Sequence, residues 1–413
     1  MKIKGRYEIS SDGSEQGIRR AVTGPRSWAA RLIWVVILGT AVATVQAGPP
    51  ELGGKRGIQT MNANLYIGAG TGRILALDPS DPSYVSNLVV AVTGVYYEIL
   101  ASQPTVRLAA VADEIVARQP DLVAVQEATL LRNQSPGDLV IGGSSPATNV
   151  VFDYLQILVD ALAARGAHYA VAATSQEWDV EMPMLNLQTG TFDDVRQTDR
   201  DAILVRTDLP PGQLRVTNPL SGNFTNALQF PALGLSVWRG WCSVDVFVRG
   251  EKLRYICAHL EEETSPEVQM FQAVELIDGP ANVCLPVILS GDFNADPLKR
   301  NGVETYEAFA AAGFDDAWGA LNESHPAGGL TWGHDEFLAD PTVPFIWRID
   351  LVLYRGNGLL PTRSEVLDLG LDRASPPFWA SDHGSLTADF RIGQLHAPKP
   401  APHWPRFRSH VCR

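Results

Sequence analysis

The sequence predicts an α/β protein whose core is two layers of β-sheet with helices outside. Three observations predict it. Strand-like apolar runs recur from Ile58 to about Gly393 and outnumber the helical ones. The helical stretches are interspersed among the strands instead of grouped, which places helices on the outer faces of a sheet core. The composition, 45% hydrophobic and 19% charged over 413 residues, is that of a globular chain, long enough for one large domain or two ordinary ones. The same figures exclude a disordered, collagenous or coiled-coil chain. One apolar run approaches membrane length, which excludes a multi-span membrane protein.

The N-terminus is set apart from that pattern. Residues 1–31 are polar and basic, with Arg19, Arg20, Arg26 and Arg31; LIWVVILGTAVATV follows from Leu32 to Val45, and Val45-Gln46-Ala47 resembles a cleavage site. Basic, apolar, small is the order of a secretory signal, so 1–47 is expected to be a signal peptide and the protein secreted or periplasmic. The alternative is an anchor through residues 32–47, although a span needs about 20 apolar residues. Residues 1–47 hold 7 of the 33 Lys+Arg and 3 of the 46 Asp+Glu; 26 against 43 remain, a formal charge of −17. One domain is expected over 48–393, and the Pro-rich basic tail 394–413 is expected outside the fold.

Along the domain, Ile58–Ile67 reads as a strand and Tyr84–Ala101 as an apolar helix. Thr105 is the expected N-cap of a helix to Ala117, ended by Pro120. Leu122–Gln126 is a short buried strand. The segment 128–150, rich in Gly, Ser, Pro and Asn, reads as a surface loop, and Phe152–Arg165 as a helix stopped by Gly166. Strand-like runs follow at Tyr169–Thr174, Ala202–Arg206, Leu214–Thr217, Ser243–Arg249 and Leu253–His259, the last two joined through Gly250-Glu251 as a hairpin. Residues 175–198 read as a long irregular stretch able to cover a site. Pro266–Leu276 and Tyr306–Ala312 are helical; Val287–Leu289, Ile349–Tyr354 and Ser385–Phe390 are strands.

Four apolar strands begin or end in residues of catalytic type: Gln126-Glu127, Gly291-Asp292-Phe293-Asn294, Arg348-Ile349-Asp350 and Ser381-Asp382-His383. A fifth, weaker, segment runs from Tyr255 to His259 and Leu260. A carboxylate at the end of a buried strand is costly unless it is paired or bound to a metal. An Asp beside a His supplies a ligand or orienting anion next to a general base. Each segment alone has a structural reading, such as a cap or a turn; the ordered set does not.

These motifs resemble the endonuclease/exonuclease/phosphatase superfamily, with a deoxyribonuclease I-like fold, over roughly Ile58 to Ile392. The resemblance implies a four-layer α/β/β/α sandwich of two mixed sheets and makes 48–393 a catalytic domain. It implies Asn64 as a metal-side residue, with Asn62 as its rival, Glu127 as the principal metal ligand and Asp382 as a second. Secreted bacterial members often carry an acidic residue where this chain has Gly70. It implies His259, Asp292 and Asn294 at the scissile phosphate, Asp350 orienting the histidine His383, which is the base, and Asp201 pairing with His259. No residue matches the family's phosphate-binding tyrosine; Arg200 is a candidate for that contact. The implied cofactor is Mg²⁺ or Mn²⁺, because hard oxygen ligands select such ions.

The implied activity is hydrolysis of a phosphate ester, most directly a phosphodiester, with a nuclease and a sphingomyelinase-like lipid enzyme as the main options. The alternatives are a catalytically weak phosphate-binding member and a structural metal-binding protein; the intact Glu127, Asp292, Asn294, Asp382 and His383 argue for turnover. The charge of −17 disfavours broad nucleic-acid binding, which depends on Lys and Arg. Trp332, Trp347 and Trp379 each lie near a motif and are candidate pocket walls, whereas Trp238-Arg239-Gly240-Trp241 reads as core. No stable protein partner is expected, and the protein is expected to act as a monomer. The four cysteines allow three pairings, and buried free thiols are an equal reading.

Overall fold

Apolar residues along Leu122–Val125 call for a strand buried on both faces, and all of Leu122–Gln126 is buried. Leu122 and Ala124 enter the layer between two sheets, where Ile58, Ile203, Val244, Tyr255, Ile288 and Val352 meet. Val123 and Val125 point the other way, into a cluster with Leu108, Val111 and Ile115 of the helix Pro104–Arg118 and Leu155, Leu158 and Leu162 of the helix Tyr154–Ala164. The second sheet repeats the device. Ile256, Leu289, Leu351 and Leu353 pack with Ala273 and Leu276 of the helix Pro266–Asp278 and with Phe309 of the helix Val303–Ala311. The layers run helix, sheet, sheet, helix, which is the α/β/β/α sandwich.

The structure is a computed structural model and describes residues 57–393 apart from 231–234, 263, 299–302 and 326. The expected signal segment 1–47 and tail 394–413 lie outside the described residues. The larger, eight-stranded sheet has the order Leu359–Leu367, Ser385–Ile392, Gly57–Asn64, Leu122–Gln126, Phe192–Arg206, Leu130–Gln134, Asn149–Asp153, with Tyr169–Leu185 also paired to Phe192–Arg206. The six-stranded sheet has the order Asp315–Asp316, Asp350–Arg355, Val287–Asp292, Glu251–His259, Gly240–Val248, Leu214–Asn223.

Both sheets are mixed, and the parallel pairs position the site. Gly57–Asn64 runs parallel to Leu122–Gln126 with Asn64 opposite Gln126. Glu251–His259 runs parallel to Val287–Asp292 with His259 opposite Asp292, and the antiparallel Asp350–Arg355 starts opposite the same Asp292. Parallel neighbours end at one edge, so polar strand-end residues collect there.

Three readings of the sequence are corrected. The loop expected at 128–150 contains the strands Leu130–Gln134 and Asn149–Asp153, polar because they lie at a half-exposed end of the sheet. The irregular stretch expected at 175–198 is a long hairpin, Tyr169–Leu185 with Phe192–Arg206, whose register shifts at two places. Those bulges break the two-residue alternation by which a strand is recognised. The unforeseen strand Leu359–Leu367 holds a proline, Pro361, which is tolerated because the strand is at the sheet edge. Smaller shifts occur at helix starts. Gln103, at φ 51°, precedes Pro104 at the first helical position, where a missing N–H costs nothing. Asp153 caps the next helix by accepting from the Gln156 N–H.

Candidate active site

Eight of the sequence-predicted side chains form one chain of contacts. The Asn64 amide donates to Glu127 Oε1 and to Asp292 Oδ2, both at 3.1 Å. Asp292 Oδ2 lies 3.6 Å from His259 Nε2 and 3.7 Å from His383 Nε2. His383 Nδ1 is 2.8 Å from Asp350 Oδ2, and His383 Nε2 is 4.0 Å from Asp382. Asn294 Nδ2 is 3.5 Å from His259 Nε2. Glu127 and Asn294 hold positive φ, 55° and 50°, as does Tyr66 at 54°. Such backbone is costly for residues other than glycine and collects at functional sites.

The strand ends are braced by local bonds. Glu127 Oε2 accepts from the Ile67 N–H at 2.8 Å, and Asp292 Oδ1 from the Asn294 N–H at 3.0 Å. Ser381 Oγ donates to the Asn64 carbonyl and accepts from the His383 N–H. Asn62 donates to Asp350 Oδ1 at 3.1 Å. Of the two rival asparagines, Asn64 therefore stands against Glu127 and Asp292, and Asn62 aims the carboxylate behind His383.

Burial by itself would lower the His383 imidazole, but the charges of Asp350, Asp382 and Asp292 outweigh it and hold the ring well above its usual range. The same burial raises Asp292 to about 7, with His383 opposing and Asp350 adding to the rise. Asp382 is raised to about 6 by burial, against His383, and its Oδ2 accepts from Trp332 Nε1 at 3.1 Å.

His259 behaves oppositely. Burial, then the charges of Arg239 and His383, push it well below its usual range, so it is neutral. Arg239 Nη1 lies 3.1 Å from His259 Nδ1. A guanidinium has no acceptor, so Nδ1 accepts and the ring proton sits on Nε2, facing Asp292 and Asn294. Arg239 also lies 3.9 Å from Glu177, 4.0 Å from Asp199 and 3.7 Å from Glu261. Burial raises Glu177 to about 8 and Asp199 to about 7.

Two groups offer ligand atoms that all lie within 4.8 Å of one another: Asp292, Asp350 and His383, and Glu177, Asp199 and His259. Neither group contains Glu127 or Asp382, but the first adjoins both, through Asn64 to Glu127 and through His383 to Asp382. Glu127, Asp292, Asp350 and Asp382 converge with no Lys or Arg ion-paired to them among the described residues. Oxygen donors of this kind suit Mg²⁺ or Mn²⁺. Asn64 turns its nitrogen, not its oxygen, toward Glu127 and Asp292, because Oδ1 accepts from the Tyr66 N–H at 2.9 Å. As placed it aims two carboxylates, those of Glu127 and Asp292.

Other expected residues stand elsewhere. Asp201 is fully buried against Glu177 and Asp199; the carboxylate facing His259 Nδ1 is Glu177, at 3.9 Å. Arg200 is bound to Asp153 and the Ala128 carbonyl. The part-buried cation beside the site is Arg239, with Glu177 and Asp199 around it; sequence reasoning missed all three. The spacing Asp199-Arg200-Asp201, two acids on one face of a strand, was the available signal. Trp332 stacks on Trp347 and holds Asp382, while Trp379 stacks on His334. Cys242 and Cys257 are free, buried and opposite each other across their hairpin.

A two-sheet sandwich that gathers carboxylates and two histidines at one edge defines a metal-dependent phosphoesterase. The model of the Endonuclease/Exonuclease/phosphatase family matches residues 99–383, and the chain belongs to that family. No curated protein matches the sequence. Among solved structures it is similar to an endonuclease/exonuclease/phosphatase family protein from Leptotrichia buccalis C-1013-b (13% identity, TM-score 0.49, 81% of this chain and 100% of that one). It is also similar to an endonuclease/exonuclease/phosphatase from Beutenbergia cavernae DSM 12333 (18%, 0.46, 82% and 72%). A third is the human Nocturnin catalytic domain with bound sulfate (18%, 0.44, 82% and 95%). Membership rests on the family model, not on these distant likenesses.

Proposed function

We propose that the protein is an exported phosphodiesterase that acts as a monomer with Mg²⁺ or Mn²⁺, held by Glu127 and Asp382. The observation that carries the reading is the convergence of two unlike imidazoles on Asp292. His383 is backed by Asp350 and His259 by Arg239. Displacement at phosphorus needs a proton acceptor for water and a donor for the leaving oxygen. When bound, a divalent ion supplies charge neutralisation for the phosphate oxygens and for the carboxylates that hold His383 protonated.

Water oxygen then forms the new P–O bond and the ester P–O bond breaks. His383 Nε2 takes the water proton, with Nδ1–H held by Asp350. The neutral His259 donates a hydrogen bond from Nε2 to a phosphate oxygen, as Asn294 does, and the leaving oxygen takes its proton from solvent. Asp292 lies between both rings and aligns the water. Positioning of this kind supplies much of the rate in such displacements.

The N-terminal pattern of 1–47 supports export, and the charge of −17 on the remainder weighs against a broad nuclease. A panel of a chromogenic phosphodiester, plasmid DNA, RNA and sphingomyelin, each with Mg²⁺ and with chelator, tests the reading. Hydrolysis of at least one diester that chelator abolishes is expected. No hydrolysis of any with Mg²⁺ or Mn²⁺, or hydrolysis unaffected by chelator, overturns it.

A further inference from the structure

The helix Tyr84–Ala101 does not seal against the long hairpin. Between them lies an apolar cavity of about 50 Å³, walled by Val92, Val95 and Ile99 of the helix and by Leu131, Met182 and Val195 of the sheet. It adjoins a polar pocket that holds Glu127, Asp199 and Arg239, and Thr71, Trp178 and Gln197 line both. The strand Phe192–Arg206 shows how this arises. Val195, Gln197 and Asp199 alternate onto one face. Along it the wall changes from apolar, to the shared amide, to the carboxylate beside Arg239. One such step is about 7 Å.

We propose that this cavity is a subsite for an aliphatic chain carried by the phosphoester substrate. The phosphate end lies at Glu127 and Arg239, and the chain passes Trp178 and Gln197 into the apolar chamber. The inference rests on the phosphodiesterase reading and names the substrate class for it. Two observations favour an alkyl chain over a nucleic acid. Beyond Thr71 and Gln197 the chamber offers little hydrogen bonding to a base or sugar. The adjoining pocket is lined by two acids, Glu127 and Asp199, and by one cation, Arg239. One cation cannot match the successive phosphates of a polyanion laid across it, whereas a single phosphate on an uncharged chain needs only one. A cavity of this volume holds about four water-sized groups, so three or four methylenes fill it.

The test is a series of alkyl p-nitrophenyl phosphodiesters with methyl, butyl, octyl and dodecyl chains, hydrolysed in Mg²⁺, beside calorimetric binding of methyl phosphate and octyl phosphate. Each buried methylene is worth about fourfold in affinity. KM is therefore expected to fall by roughly 60- to 250-fold in total once the chain reaches the chamber, and then to level off. Octyl phosphate is expected to bind tighter than methyl phosphate by a similar factor. In Val195→Phe, which fills the chamber, the octyl-to-methyl ratio in both measurements is expected to approach one. Turnover of the series with KM independent of chain length overturns the subsite and leaves the phosphodiesterase reading standing. Equal binding of the two phosphates by the unaltered protein also overturns the subsite, whatever the variant does. No turnover of any ester with metal overturns the phosphodiesterase reading, and the subsite with it.

Discussion

Among the described residues Arg107 is the largest fully buried side chain, and it ties together the two loops that carry the site. Its Nη1 donates to the carbonyls of Leu65 and Ala380 at 2.9 and 2.8 Å, its Nη2 to the Tyr66 carbonyl at 2.9 Å, and its Nε to Ser102 at 3.1 Å. The guanidinium also lies 5.6 and 5.8 Å from the rings of Tyr66 and Tyr154. Leu65 and Tyr66 follow Asn64 directly, and Ala380 precedes Ser381-Asp382-His383. Arg107→Met keeps the aliphatic bulk and removes these four bonds and a longer one to the Tyr154 hydroxyl at 3.5 Å. Hydrogen bonds to a charged group are worth about 1.5–3 kcal/mol each, or roughly 6–12 kcal/mol gross. The desolvation cost of the guanidinium, several kcal/mol, disappears with it. The net loss expected is about 4 kcal/mol. An unfolding entropy of about 2.1 cal/mol/K per residue over residues 57–393 gives roughly 0.7 kcal/mol/K, so Tm should fall by about 6 °C.

The freed loops should also displace Asn64 and Asp382. A shift of about 1 Å at such groups costs about 10²-fold in rate. Circular dichroism on heating and hydrolysis of a chromogenic phosphodiester read the two effects. A Tm within about 2 °C of the parent together with unchanged kcat/KM would refute the reasoning, and would mean that the loops are held by other contacts. Arg107→Lys keeps the charge but loses the fork, and should fall between the two.

Three further outcomes are expected. Glu127→Gln keeps the shape and removes the charge, so it should raise the Mg²⁺ concentration needed for half-maximal activity and recover partly at high metal. A loss with unaltered metal dependence rules Glu127 out as a ligand. His383→Ala should bind Mg²⁺ normally and lose about 10²–10⁴-fold in turnover, with Asp350→Asn milder; near-normal turnover moves the base to Asp292. The metal-free protein should lose stability as pH rises from about 6.5 to 8.5. Asp199 and Glu177, at about 7 and 8, are raised above their unfolded values, so the folded state binds more protons there and loses that advantage as they ionise. His383, also raised, adds to the loss as pH rises through its folded value. His259, which is lowered, acts in the other direction, but only as pH falls below its ordinary value near 6.5. Denaturant midpoints at constant salt measure this, and midpoints flat or rising over that window contradict it.

What the sequence determined by itself was everything carried by a few adjacent residues. The alternating core strands, the helices Tyr84–Ala101 and Pro266–Asp278, and the motifs around Glu127, Asp292, Asp350 and His383 are short, and each is a strand end whose chemistry is written in contiguous residues. Their convergence follows from parallel pairing, which the order of elements already implies. Glu177, Asp199, Arg239 and Arg107 were not legible, because their roles depend on register and distance. The pairing of Tyr169–Leu185 with Phe192–Arg206 shifts between Gln176 and Asp179, which breaks the alternation from which facing is read. Arg239 precedes a strand of the six-stranded sheet, yet neutralises acids on the hairpin of the other sheet. Arg107 lies on a helix whose apolar stripe gives no sign that a charge is buried in it. The cost of burying those charges is met only by partners distant in the chain, so only the tertiary structure decided where they go.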